Sequence, residues 1–122
     1  MNEGVNLWQF RDTAGHTAGT DLIGFHVEAV DGSVGKVDKL SEEVGSQYLV
    51  VDTGPWIFGR LVLLPAGTVI RIEIGEQKVY VDRTRDDIKS SPTMGAGEDD
   101  LGPDFRDRYA LHYAPFYGGR LM

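Results

Sequence analysis

The sequence predicts a mainly β protein that folds as a small closed β-barrel of about six short strands. Between Asp21 and Val81, short apolar segments recur at even spacing, and glycine-containing turns separate them. The strand pattern stops at Asp82. We therefore divide the chain into an N-terminal arm (residues 1–20), a barrel (21–92), and a linker with an aromatic C-terminal helix or tail (93–122).

Composition limits the classes of function. The chain has 122 residues, which fits one modest domain with flanking segments. It carries 19 acidic and 12 basic residues, and the resulting net charge of -7 disfavours general affinity for nucleic-acid phosphates or anionic lipid. The absence of cysteine excludes disulfides, thiolate nucleophiles and cysteine-bound metals. Without a leader-like start or a long apolar stretch, we expect a cytoplasmic protein with no membrane partner.

The first hairpin is predicted from segments 22–30 and 33–40. Asp31-Gly32 between them predicts a type I′ turn, because both central positions of that turn need positive φ. Gly35 inside the returning strand predicts a bulge or a sharp bend. An acidic connection is expected over 41–46. The residues predicted to shape turns and strand ends are Gly24, Asp31, Gly32, Gly35 and Pro65.

The remaining strands follow from β-branched and apolar runs. They are predicted over 47–52, 60–64, 68–73 and 78–81. Pro65 ends the fourth strand because proline cannot donate to a β-ladder. The loop 53–59 carries a bulky apolar tip, Trp56-Ile57-Phe58, between two glycines. This tip either plugs one end of the barrel or forms an exposed knob that meets another chain.

Two helices are expected after the strands. The first is predicted to be capped at Thr84, with Asp87 three residues later, and to end before Pro92. The second is predicted over 104–113, where Phe105, Tyr109 and Tyr113 recur every fourth residue and share one face. Because an isolated helix this short is marginal in water, we expect that face to be buried, and we expect the linker to let it reach a neighbouring subunit.

The ordered series of strand motifs resembles the PRC-barrel family. That family comprises small β-barrels related to the cytoplasmic domain of the photosynthetic reaction-centre H subunit and to the C-terminal domain of the ribosome-maturation factor RimM. The segments that carry the resemblance are Leu22-Ile23-Gly24, Asp31-Gly32, Gly35-Lys36-Val37, Tyr48-Leu49-Val50-Val51 and Leu63-Leu64-Pro65. Stand-alone bacterial members carry a loop similar to Gly54–Gly59. The resemblance implies a binding or assembly module without chemistry of its own.

Our first functional hypothesis is a non-enzymatic module that self-associates and docks on another protein. A core built from roughly 70 residues rarely supplies more than ~3–5 kcal/mol, so additional burial is expected from the arm, the tail or other subunits. The arm contributes an apolar cluster that should dock on the barrel or on a neighbour. The predicted interface residues are Trp8, Phe10, Trp56, Ile57, Phe58, Phe105, Tyr109 and Tyr113.

Two alternatives belong to other classes. One is a small-ligand or RNA-binding module that uses a barrel groove and a basic patch; the residues of that patch are Arg60, Arg71, Arg83, Arg85 and Lys89. The other is a hydrolase with paired carboxylates, although no nucleophile elbow occurs in the sequence.

No metal, cofactor or catalytic residue is predicted. His16, His26 and His112 are too far apart in sequence for the helical histidine pair of a zinc site. The segment from Asp31 to Glu42 has acidic residues at both ends of a would-be calcium loop. Lys36 stands where such a loop needs glycine, and Gly35 and Lys39 stand where it needs oxygen ligands, so no calcium site is predicted.

Overall fold

Six strands form one mixed β-sheet in the order β4-β3-β2-β1-β6-β5. The computed structural model describes residues 6–57, 60–92 and 105–118. The strands are β1 (His26–Ala29), β2 (Gly32–Glu43), β3 (Ser46–Asp52), β4 (Leu61–Pro65), β5 (Val69–Glu73) and β6 (Lys78–Val81). Two α-helices follow, α1 (Arg85–Lys89) and α2 (Phe105–Tyr113). Short 3-10 helices span Asp12–Ala14, Ala66–Thr68 and Ala114–Tyr117.

The mainly β prediction is confirmed, together with the helix after the sixth strand and the helix near the C-terminus. All neighbouring strands pair antiparallel except β1 and β6, which pair parallel. Within the described residues no ladder joins β5 to β4. The structure therefore shows a six-stranded mixed sheet with two edges rather than a closed ladder.

Two strand boundaries differ from the expected ones. The first strand begins at His26, because the Phe25 N–H bonds back to the Leu22 carbonyl and makes a turn of the preceding residues. The second strand continues to Glu43, which pairs with Ser46. The expected acidic connection over 41–46 is therefore wrong for most of its length, and the reversal itself needs only the two residues between Glu43 and Ser46.

The predicted type I′ turn at Asp31-Gly32 is also wrong. Ala29 pairs with Gly32, so the central residues of the reversal are Val30 and Asp31. Neither has a positive φ, which a type I′ turn requires at both central positions. The Asp31 carboxylate instead accepts a hydrogen bond from the backbone N–H of Arg85 at 2.8 Å. The turn thus joins the first hairpin to the start of α1.

The cap of α1 forms as the sequence predicts. Asp87 N–H donates to the Thr84 side-chain oxygen at 3.1 Å, and Thr84 N–H donates to the Asp87 carboxylate at 3.2 Å. This capping box satisfies two backbone donors at the helix start. The buried Ile88 anchors the helix on the core.

The N-terminal arm packs on the sheet of its own chain. Leu7, Trp8 and Phe10 are buried. Trp8 carbonyl accepts from the Gln47 N–H at 3.1 Å, so the arm bonds directly to the start of β3. The Trp8 ring also meets Tyr48 and Phe105 edge-on, with centroid separations of 6.4 and 5.6 Å. An aromatic cluster therefore joins the arm, β3 and the C-terminal helix.

The C-terminal helix also packs within the chain rather than extending away from it to a neighbouring subunit. Tyr109 and Tyr113 are fully buried. The Tyr113 hydroxyl donates to the Leu63 carbonyl of edge strand β4 at 3.3 Å, and the Tyr109 hydroxyl donates to the Pro92 carbonyl at 3.3 Å. Large aromatic side chains bury much apolar area, and the chain's own sheet provides the nearest apolar surface for them.

The Asp82 carboxylate joins both chain ends to the sheet directly after β6. It accepts a hydrogen bond from the Arg11 guanidinium of the arm at 2.7 Å and another from the Tyr117 hydroxyl of the tail. Arg83 lies beside the same carboxylate, and its guanidinium sits over the Phe116 ring at 4.4 Å from the centroid. No helix within the described ranges is long and apolar enough to cross a membrane.

We predict that Tyr113→Ala destabilises the whole fold by about 3 kcal/mol or more, because it empties a fully buried aromatic site. Leu111→Ala is the matched control on the same helix, since Leu111 is 72% exposed. Chemical denaturation at two protein concentrations measures the effect. Equal stabilities for the two variants, or a loss that appears only on dilution of an oligomer, would contradict packing within one chain.

We also predict that stability falls as pH rises above about 10. Burial raises the pKa of Tyr109, Tyr113 and Tyr117 above the usual value. The folded chain then keeps protons that the unfolded chain releases, so the stabilising contribution is complete below the unfolded pKa and is lost as pH climbs towards the folded one. Denaturation midpoints measured across this range should decline less steeply in Tyr113→Phe than in the unmodified protein. Identical slopes would exclude Tyr113 as a contributor.

Candidate functional site

A groove of about 510 Å³ lies where the loop after β3 faces the start of α1. We call it the Trp56 groove. Its lining comes from His26 on β1, residues 33–36 on β2, residues 52–56 at the end of β3, and Arg85. Four separate elements therefore build one surface.

The loop that carries Trp56 is fastened at its base. Both the backbone N–H and the side-chain hydroxyl of the buried Thr53 donate to the Arg60 carbonyl, at 3.1 and 2.7 Å. Trp56 N–H donates back to the Thr53 carbonyl at 3.2 Å. The Arg60 guanidinium in turn donates to the Lys89 and Ser91 carbonyls at 2.9 and 2.7 Å. The loop base is thus tied to the end of α1.

Gly35 sets how closely β2 approaches the start of this loop. Its φ is +155°, and a Cβ at this position would lie 2.0 Å from the Asp52 carbonyl oxygen and 2.9 Å from the Thr53 Cα. Since both of these atoms belong to backbone, a side chain could be accommodated only by separating the two strands. A glycine is therefore required where the groove has its floor, and the predicted irregularity at Gly35 is a close crossing of two backbones.

Arg85 and Trp56 form the two facing sides of the groove. The guanidinium carbon of Arg85 lies 4.4 Å from the centroid of the Trp56 ring, which is a cation–π contact. The Arg85 side chain passes over Gly32, where a Cβ would lie 3.1 Å from the Arg85 Cδ. Its Nε is buried and has no hydrogen-bond partner among the described residues. Gly32 thus leaves the room that this arginine occupies.

A row of polar side chains crosses the sheet next to these two residues. Strand register places His26 opposite Lys36, and Lys36 opposite Asp52. Directly paired residues project to the same face of a sheet, so the three side chains are neighbours. All three are exposed. The groove therefore combines an aromatic ring with Lys36, Arg85 and a single carboxylate, Asp52.

The structure separates the predicted interface residues into two groups. Four of them are buried in the core: Trp8, Phe10, Tyr109 and Tyr113. Phe105 is half-buried in the aromatic cluster that it forms with the arm. Trp56 and Ile57 are half-buried, and of the two Trp56 lines the groove, while Phe58 lies outside the described residues. Trp56 packs on the core with part of its surface and lines the groove with another part, so its side chain is neither fully buried nor fully exposed.

Most of the predicted basic patch is occupied by internal contacts. Arg83 lies within 3.5 Å of the carboxylates of Asp82 and Asp87. Arg71 bonds to Glu73 at 2.9 Å. Arg85 differs from both, because within the described part of the chain no ion pair involves it. Arg85 was predicted to belong to the basic patch, but its position over the Trp56 ring was not predicted.

Two of the three histidines, His16 and His112, make hydrogen bonds within the fold. His16 Nε2 lies 2.9 Å from the Glu42 carboxylate, and this hydrogen bond is the main reason that the pKa of Glu42 is lowered. His112 Nε2 lies 2.7 Å from the Asp87 carbonyl oxygen. Among the described residues no group of three or more His, Asp or Glu side chains is arranged to hold a metal ion.

Comparisons with known proteins identify no relative of this chain. No protein-family model matches the chain, and no curated protein sequence matches it. Arguments about its activity therefore depend on the Trp56 groove itself.

We predict that Gly35→Ala destabilises the protein by about 2 kcal/mol or more, because the added Cβ meets backbone at the groove floor. Gly75→Ala is the matched control, since a Cβ there meets nothing within 4 Å. Thermal and urea denaturation of both variants would measure the difference. A Gly35→Ala variant as stable as Gly75→Ala would show that the crossing of β2 and β3 is loose.

Proposed function

We propose that this chain is a non-enzymatic protein-interaction and assembly module of the PRC-barrel type and that it acts in the cytoplasm. It docks on another protein through the Trp56 groove and self-associates. The observation that carries the proposal is the pairing of Trp56 with Arg85 at 4.4 Å in a surface groove. Tryptophan and arginine are the residue types most enriched at the energetic centres of protein interfaces.

The burial of the other aromatic side chains supports the proposal that Trp56 is the docking residue. The arm buries Trp8 and the tail buries Tyr109 and Tyr113 in the chain's own core, whereas Phe116 of the tail stays 38% exposed. Trp56 remains as a large aromatic side chain of which part still faces the surface. A module of this kind needs one such anchor rather than many, because a few residues carry most of the binding energy.

The proposed self-association depends on other surfaces. Large apolar side chains are exposed on and around the edge strand β5, including Ile70 at 41% and Ile74 at 53%. Edge strands with exposed apolar side chains are common sites of association between copies.

Light scattering at micromolar concentration should therefore give the mass of a dimer or a larger assembly, and a monomer mass would remove this part of the proposal.

The alternatives find less support in these contacts. A hydrolase with paired carboxylates would need two converging acids, whereas Asp52 is the one carboxylate among the described residues that line the groove. An RNA-binding patch around Arg83 would need free cations, whereas Arg83 is held by Asp82, Asp87 and the Phe116 ring.

We predict that Trp56→Ala weakens partner binding by about 2 kcal/mol or more, roughly thirtyfold, because it removes the aromatic anchor of the groove. The immobilised protein would capture partners from a native cell extract, and quantitative mass spectrometry would compare retained proteins. Leu111→Ala is the matched control, since it removes an apolar side chain that is 72% exposed on α2, outside the groove.

Circular dichroism would first confirm that both variants are folded. A set of specific partners retained equally by the unmodified protein and Trp56→Ala would contradict docking through the groove. Loss of the same partners in Leu111→Ala alone would move the interface to the tail.

A further inference from the structure

We propose that the Trp56 groove recognises an extended peptide segment of a partner protein in which one acidic residue adjoins an apolar residue. The acid binds Arg85 and Lys36, and the apolar side chain lies against Trp56. This inference deepens the proposed function and rests on it, since it specifies the chemistry of the segment that docks.

The charge of the groove opposes that of the chain. The chain as a whole carries a net charge of -7. The Trp56 groove contains two full cations, Lys36 and Arg85, against the single carboxylate of Asp52. A local positive site on an acidic protein attracts an anionic group while the remaining surface repels polyanions.

Arg85 is available for an external acid in a way that other arginines of the chain are not. Arg11 and Arg83 each have a carboxylate partner, at 2.7 and 3.5 Å. Within the described ranges no carboxylate pairs with Arg85. A guanidinium held on an aromatic ring keeps its planar fork ready for bidentate contact with a carboxylate.

The position of the guanidinium is set before any ligand arrives. Asp31 holds the backbone N–H of Arg85 at 2.8 Å, Gly32 gives the side chain its path, and Trp56 holds the guanidinium from the other side. Such preorganisation lowers the entropy that is lost when the acid binds. The arrangement therefore resembles a prepared anion contact more than a surface arginine in solvent.

The apolar part of the peptide has a matching surface. Trp56, Pro55 and the buried Val34 all line the groove. An apolar side chain next to the bound acid would cover these groups and remove them from water. A volume of about 510 Å³ suits a short extended segment rather than a folded element.

Asp52 limits the ligand to one acid. Its carboxylate lies opposite Lys36 in the strand register, at the far end of the polar row. It can accept an N–H of the peptide, but it repels a second negative charge. A nucleic acid, with a charge at every phosphate, would meet Asp52 in the groove and a chain of net charge -7, so a peptide with one acidic residue fits the charges better.

Selection from a random eight-residue peptide library on the immobilised protein tests the proposal. We predict that the selected peptides share an Asp or Glu next to an apolar residue. Replacing that acid by its amide should lower the affinity about tenfold, and Arg85→Gln should lower it by a similar factor, because each change removes a charge-assisted contact. Fluorescence anisotropy with a labelled selected peptide would measure both.

Arg71→Gln is the matched control. Arg71 also places its guanidinium over an aromatic ring, 4.2 Å from the centroid of Tyr80, but it lies on β5 outside the groove. This variant removes the same charge and should change the affinity by less than about twofold. Equal losses in Arg71→Gln and Arg85→Gln would overturn the proposal, because the effect would then come from net charge alone.

The remaining outcomes separate this inference from the function on which it rests. Selection of neutral apolar peptides that lose binding in Trp56→Ala would overturn acid recognition and leave groove docking intact. Failure to select any peptide, with Arg85-dependent binding of succinate or of an oligouridylate, would overturn peptide recognition in favour of a free carboxylate or RNA. Partner capture that is insensitive to Trp56→Ala would overturn both proposals.

Discussion

The Asp82 carboxylate holds together three parts of the chain that are distant in sequence. Asp82 directly follows β6, and its own N–H donates to the Thr68 carbonyl at 3.0 Å. From this fixed position it accepts bonds from Arg11 of the arm and Tyr117 of the tail. Charge-assisted hydrogen bonds of this kind are stronger than neutral ones. Removal of the acceptor would take a partner from the Tyr117 phenol and would leave the Arg11 guanidinium with its bond to the Gly67 carbonyl at 2.8 Å. This one group therefore contributes to the placement of both chain ends, together with the Trp8 contact to Gln47 and the Tyr113 contact to Leu63.

Arm and tail placed in this way lie beside the two edges of the sheet. The start of the chain lies next to β5, where a Cβ at Gly15 would be 3.6 Å from the Ile72 carbonyl, and α2 lies next to β4 through Tyr113 and Leu63. A small sheet buries too little apolar surface to be stable alone, and exposed edges invite association. Aromatic residues outside the strands supply part of this burial inside one chain, which explains why residues expected at an interface are found in the core, while Ile70 and Ile74 on and after β5 stay exposed.

Most of the fold follows from local patterns in the sequence. The six strands and both helices were predictable because alternation, β-branched runs and the Thr84–Asp87 cap act over a few residues. The predictions that were wrong concern positions where the pairing of strands determines the local structure. Asp31-Gly32 has the composition of a primed turn, but the register pairs Gly32 with Ala29 and assigns Asp31 to the N–H of Arg85. A dipeptide rule contains no information about a residue more than 50 positions away.

The candidate site was predictable to a smaller extent, for the same reason. Trp56 could be identified because a large aromatic side chain between glycines is unusual in a loop, whereas the significance of Arg85 depends on which ring it covers. Two strand glycines shape the groove: a Cβ at Gly35 would lie 2.0 Å from the Asp52 carbonyl oxygen, and a Cβ at Gly32 would crowd the Arg85 Cδ at 3.1 Å. A strand glycine signals a close approach without naming its partner. In this chain the positions that lack side chains determine where the functional side chains can meet.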